Sequence, residues 1–168
     1  SDSPIIQFYY RDKYNLTTEY IAYGATPFSN EKKEILKDFG VSVHNYAMLI
    51  ARLEPENNIE IILDGFHRSD TDKHFLVVGN VNTHFGKYLV KSFGDDKRIH
   101  FTGALYDDQV THSLRTYSCL YFHGHSSGGT NPSLLEAMAS RCLIAAHNNR
   151  FNKTVLQEDA FYFSTADA

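Results

Sequence analysis

Between His123 and Ala139 the chain reads His-Gly-His-Ser-Ser-Gly-Gly-Thr-Asn-Pro-Ser-Leu-Leu-Glu-Ala-Met-Ala, residue types suited to holding an anion. Asn131 is a good N-cap and Pro132 suits the first position of a helix, so a helix is predicted from Pro132 onward. The small residues before it, Gly128 and Gly129 above all, reach backbone angles closed to other residues. A loop of this kind leaves backbone N–H groups unpaired at the positive end of a helix dipole, which suits a phosphate. Glu136 falls about one turn into the helix, within reach of the hydroxyls of a ligand held at its start.

A second candidate lies in Ala51-Arg52-Leu53-Glu54-Pro55-Glu56-Asn57-Asn58. A guanidinium at a strand end suits a diphosphate, because its planar fork matches paired oxygens. The competing use of Arg52 is an ion pair with Glu54 or Glu56. No glycine fingerprint for a dinucleotide occurs here, which argues against a nicotinamide or flavin enzyme. Asp38-Phe39-Gly40 copies a kinase tripeptide without its companion motifs and reads as a helix end, with Gly40 at the cap. His123 and His125 are read as pointing in opposite directions, a poor chelating pair, so no metal is expected.

These residues need a scaffold, and from Tyr46 onward the pattern supplies one. Apolar runs at 46–51, 74–79, 99–103, 119–122, 142–146 and 160–163 predict six strands. Helices are predicted at 56–66, 84–93, 107–117, from Pro132, and at 150–158. Continuous apolar strands alternating with helices imply an α/β, Rossmann-like, doubly wound parallel sheet with both faces covered. Ligands then bind beyond the C-terminal strand ends, at loops 51–57, 79–84, 103–107, 123–131 and 146–150. Earlier in the chain, a helix is predicted at 3–14, β structure at Thr18–Tyr23, and a helical segment at 31–38. Tyr9, Tyr10 and Tyr14 sit at helical spacing and read as core or as a face for another domain.

Bulk composition sets limits. The 168 residues, 42% hydrophobic and 21% charged, make one globular domain. A formal charge of −4 gives no support to nucleic-acid binding, and no apolar run is long enough to span a bilayer. Cys119 and Cys142 each open an apolar run and read as buried thiols of a reducing, cytoplasmic compartment. The sequons at Asn15 and Asn152 then carry no meaning.

Four pieces in order, Ala-Arg-Leu-Glu-Pro-Glu-Asn-Asn (51–58), Phe-Leu-Val-Val-Gly (75–79), Ile-His-Phe-Thr-Gly (99–103) and Leu-Leu-Glu-Ala-Met (134–138), carry a resemblance to a known family. Residues 46–164 resemble the C-terminal, donor-binding domain of family 4 retaining GT-B glycosyltransferases. The loop from Gly124 to Met138 is similar to a bacterial subgroup of rhamnosyltransferases and related enzymes of polysaccharide synthesis.

The resemblance implies that residues 1–24 are the tail of a missing N-terminal domain and its linker. Residues 25–168 would be the nucleotide-sugar-binding domain, cut short at its C-terminus. It implies a glycosyltransferase of hexosyl type, inactive as this fragment, whose donor is a dTDP- or UDP-sugar, with rhamnose the first expectation. The acceptor would be a growing cell-surface polysaccharide or lipid-linked glycan, reached through the missing domain. The implied location is the cytoplasm, peripheral at the inner membrane face. No cofactor, metal, nucleic acid or transmembrane segment is implied.

Residue by residue, Arg52, His125 and Gly128 would be catalytic. Arg52, Asn57, Gly79, Leu105, Gly129, Thr130, Asn131 and Glu136 would bind the donor, with Glu136 on the ribose and Leu105 near the base. Two positions depart from the family: Asn57 stands where many members have lysine, and Gly128 where many have a glutamate facing the sugar. The departures keep open a non-catalytic nucleotide-sugar-binding module.

Overall fold

The computed structural model describes residues 1–167. Six strands form one all-parallel sheet: β1 (Tyr46–Ile50), β2 (His74–Val78), β3 (Ile99–Gly103), β4 (Leu120–His123), β5 (Ile144–His147) and β6 (Phe161–Phe163). Their spatial order is β3-β2-β1-β4-β5-β6. The chain runs outward from β1 to one edge, then returns to β4 beside β1 and runs to the other edge. This is the doubly wound arrangement, and it opens a crevice where the winding reverses, between the C-terminal ends of β1 and β4. Ala47 pairs with Leu120 and Met48 with Tyr121 across that seam.

Both sheet faces are buried, as the apolar runs require. Tyr46, Met48, Leu76 and Tyr121 pack on one side; Leu49, Phe75, Val77 and Leu89 pack on the other. The flanking helices are α1 (Pro4–Tyr14), α2 (Ile59–Arg68), α3 (His84–Phe93), α4 (Asp108–Tyr117), α5 (Pro132–Ala139) and α6 (Arg150–Leu156). Thr83, Asp107, Asn131 and Asn149 each cap the following helix through a side-chain oxygen. A cap of this type contributes about 1 kcal/mol.

Several local expectations need correction. Thr18–Tyr23 is not a strand. Its β-favouring residues meet no neighbouring strand, and Ile21 N–H donates only to the Ser1 carbonyl, 2.8 Å away. The segment predicted helical at 31–38 is a 3₁₀ helix, Lys33–Phe39, closed by left-handed Gly40. The helix predicted from Glu56 starts at Ile59, because Pro55–Asn57 make a separate 3₁₀ turn and Asn58 adopts a φ of 49°. β4 and β5 start one and two residues late, and α6 stops at Leu156. Tyr9, Tyr10 and Tyr14 are exposed, and α1 buries no residue, so those rings are not core. Both cysteines are free and partly rather than fully buried.

Candidate functional site

The crevice at the reversal point holds a cavity of about 390 Å³. Its walls come from the loop after β1 and the segment from the end of β4 to the first turns of α5. Arg52, Asn57, His125, Asn131 and Glu136, all singled out by sequence, border it together. A second cavity of about 390 Å³ opens beyond β2 and β3, bordered by Gly79, Asn80, Leu105 and Tyr106. Arg52 borders both. Gly128, Gly129 and Thr130 border neither; they form the loop that leads into α5.

The start of α5 is fixed by local chemistry. Asn131 Oδ1 accepts the Ser133 N–H at 2.9 Å, and Pro132 occupies the first turn. From below, the Tyr121 hydroxyl meets Ser133 Oγ at 2.9 Å and donates weakly to the Ile50 carbonyl at 3.4 Å, tying β4, β1 and α5 together. Gly128 has a φ of 104°, a left-handed value that a side chain would strain. Among the described residues, the N–H groups of Gly128, Gly129 and Asn131 donate to no protein acceptor.

One predicted amide is already engaged. Thr130 N–H donates to the Asp2 carboxylate at 3.1 Å, and the Thr130 hydroxyl donates to the Asp2 carbonyl at 2.7 Å. The Asp2 carboxylate lies against Gly129, where a Cβ would collide with it. The segment before α1 therefore presents an anion at the approach to α5, a contact that no local pattern around Asp2 signals.

Arg52 is exposed, and among the described residues it forms no ion pair with Glu54 or Glu56. Its guanidinium is free for a ligand. Asn57 is buried and works as a brace. Its Nδ2 donates to the Arg52 carbonyl at 2.7 Å, so its Oδ1 faces His125 Nδ1 at 2.9 Å. An amide oxygen only accepts, so His125 Nδ1 carries the proton and Nε2 is left as an acceptor. A Cβ on Gly128 would lie 3.4 Å from that Nε2. Burial, then the Arg52 charge, lowers the His125 pKa, which favours this neutral form.

His123 and His125 do not point apart. Residues two apart on an extended strand share a face, and the rings lie 6.1 Å from centroid to centroid. His123 is 4% exposed, and burial pushes its pKa down to about 3. Its buried Nε2 has no partner. Among the described residues no group of His, Cys, Asp and Glu is arranged to hold a metal.

Arg115, on the last turn of α4, escaped the sequence reading. It is 2% exposed yet borders the crevice, and its Nη2 donates to Glu136 Oε2 at 2.6 Å. The signal is weak in one dimension: a single arginine next to the apolar stripe of Val110, Leu114 and Tyr117 looks like an edge residue.

Residues 31–166 match the family described as glycosyl transferases group 1. No curated protein matches the sequence significantly. Solved structures with the same fold include a glycosyltransferase from Rickettsia africae (15% identity, TM-score 0.82) and Anabaena HepE in complex with UDP-glucose (17%, 0.82). Sucrose-phosphate synthase from Thermosynechococcus elongatus is a third (16%, 0.77). Each alignment covers 99% of this chain but only 49%, 50% and 45% of the respective neighbour, so the chain spans about half their length. No described helix is long and apolar enough to cross a membrane. With the family match covering most of its length, the chain belongs to the group 1 glycosyl transferases.

Proposed function

We propose that this chain is the donor-binding half of a glycosyltransferase that moves a sugar, with retention, from a nucleoside diphosphate sugar. The observation that carries the reading is convergence. Arg52 and the first turn of α5 reach one cavity from two loops at the reversal point of the sheet. The UDP-glucose and UDP complexes of HepE support the ligand class.

The diphosphate would take the Arg52 guanidinium and the open N–H groups of Gly128, Gly129 and Asn131, with Thr130 joining once Asp2 is displaced. Glu136 would meet the ribose hydroxyls. The base would enter the second cavity beside Gly79 and Leu105, so that Arg52 stands where the ligand bends between them. A Cβ at Gly79 would collide with the Ala51 carbonyl oxygen, which explains the glycine there.

Retaining transfer passes through an oxocarbenium-like state as negative charge grows on the departing diphosphate. Catalysis is then mainly electrostatic, with Arg52 and the α5 dipole aimed at the leaving group before the reaction starts. Neutral His125 offers Nε2 as an acceptor to the sugar. Asn57 adds no charge, which leaves Arg52 as the exposed cation bordering the cavity. A dTDP- or UDP-sugar is the donor we favour, rhamnose the first sugar to test, and a polysaccharide or lipid-linked glycan the acceptor. The cytoplasm is the compartment we favour for the reaction.

Calorimetry with UDP, GDP, ADP and dTDP tests the site. We expect one diphosphate to bind, and Arg52→Ala to weaken it by about 10- to 100-fold, the loss of charge-assisted hydrogen bonds. Indifference to both Arg52→Ala and Glu136→Ala would overturn the assignment. Binding without transfer by the full-length protein would select a nucleotide-sugar-binding module instead.

A further inference from the structure

Arg115 has an unusual environment for a charged residue. It is almost fully buried, and its Nε and Nη1 have no hydrogen-bond partner. Its firm polar contact is the 2.6 Å bond from Nη2 to Glu136 Oε2; the approach to Ser133 Oγ, at 3.5 Å, is marginal. The guanidinium carbon lies 5.8 Å from the centroid of the Tyr121 ring. Burying a cation with most of its donors unsatisfied opposes folding, so the pair is weak evidence of a stabilising role.

The partner differs. The Glu136 side chain is 44% exposed. Among the described residues only its Oε2 has a protein partner, while Oε1 has none. A glutamate on its own turns about three side-chain bonds. Held at one oxygen by a buried, packed guanidinium, it keeps the other at a fixed place on the cavity wall.

We propose that Arg115 is a positioning residue. It pins one oxygen of Glu136 so that the second meets the cavity as a fixed acceptor, and it thereby sets the preference for ligands carrying a hydroxyl at that point. The inference rests on the nucleoside diphosphate reading above and adds to it the residue that makes the site sense a hydroxyl on the sugar of the nucleoside.

The test uses Arg115→Met and Arg115→Lys with UDP and 2′,3′-dideoxy-UDP. Methionine fills similar space, and Glu136 retains solvent on its exposed side, so no buried charge is stranded. Thermal unfolding checks the fold of both variants. We expect the unmodified chain to prefer UDP by about tenfold or more, the worth of a hydrogen bond to a charged group. Arg115→Met should reduce that preference to about twofold by weakening UDP alone, and Arg115→Lys should restore part of it.

Equal weakening of both ligands, or an unchanged preference, would overturn the role of Arg115 while leaving the nucleotide site standing. A readout without ligand separates the two ideas. In ¹⁵N NMR, hindered rotation of the Arg115 guanidinium should be present in the free chain and lost in Glu136→Ala. Hindered rotation together with no binding of UDP, GDP, ADP or dTDP would overturn the nucleotide reading, and the selecting role with it. Free rotation in the unmodified chain would overturn the pinning itself.

Discussion

Tyr46, Phe75 and Tyr121 in the sheet are wholly buried, whereas Phe8, Tyr9, Tyr10, Tyr14, Tyr20 and Tyr23 in the first 32 residues all stand in solvent. The same residue types serve two kinds of structure. In the sheet, aromatic rings fill space between strands and helices brought together from distant parts of the chain. In α1 they line a helix closed by its own ends, with Pro4 in the first turn and left-handed Asn15 at the cap. Gln7 Nε2 ties that helix to the segment after it, donating to the Thr18 carbonyl at 2.5 Å, and Asp2, just before the helix, accepts from Thr130 N–H. The first region derives its stability from burial; the second is attached to it.

The sharpest way to break this contrast is to truncate one ring in each region. Phe75→Ala, at a site with no exposure, should cost about 3–5 kcal/mol in urea unfolding. Tyr10→Ala should stay within about 0.5 kcal/mol. Comparable losses would mean that α1 shares the core.

Next in size is Gly124→Ala. A methyl there would overlap the Asn57 carbonyl oxygen, and Ile62 Cδ1 lies 3.0 Å away, so backbone has to move. A loss of about 1–3 kcal/mol is expected, the usual cost of overpacking. Weaker nucleotide binding should accompany it, because Asn57 and His125 would be pushed apart.

A pH titration of stability addresses the buried side of the crevice. His123 is held neutral with its pKa lowered to about 3, while the unfolded chain takes up that proton near its ordinary value. The unfolded state therefore binds more protons between the two. Its contribution is complete above about pH 6.5 and is lost as pH falls toward 3, at up to about 1.4 kcal/mol per pH unit. His123→Asn should flatten that slope in unfolding experiments from pH 7 to 5. An unchanged slope would assign the acid sensitivity elsewhere.

The smallest effect belongs to the attached region. Asp2→Asn removes a carboxylate that competes for the Thr130 amide. UDP should bind about two- to fivefold more tightly, the scale of one charge at a helix N-terminus, with little change in stability. A weaker complex would make Asp2 part of the ligand site rather than its competitor.

What could be read from one dimension follows the same division. Strands β1 to β3 and the start of α5 were legible because apolar runs and Asn-Pro caps act over a few residues. Arg52, Asn131 and Glu136 followed from them, since the reversal point of a doubly wound sheet dictates which loops meet. Thr18–Tyr23 misled because β propensity has no effect without a neighbouring strand. Arg115 and Asp2 were invisible for another reason. Each acquires its meaning from a residue 21 and 128 positions away respectively, and nothing near either one announces the partner.

The Asn57 side chain joins the loop after β1 to the loop after β4, while Asn58 Nδ2 donates to the Gly124 carbonyl at 2.7 Å. Two neighbouring amides thus stitch the halves of the winding together at their mouth. The gap between the walls is consequently set during folding, before any guest arrives, and binding need not draw on the entropy of loose loops. Among the described residues, Thr130 N–H is the one amide between Gly128 and Asn131 already taken, by Asp2, so ligand arrival and departure rates should respond to changes at Asp2 while the shape of the occupied cleft stays the same.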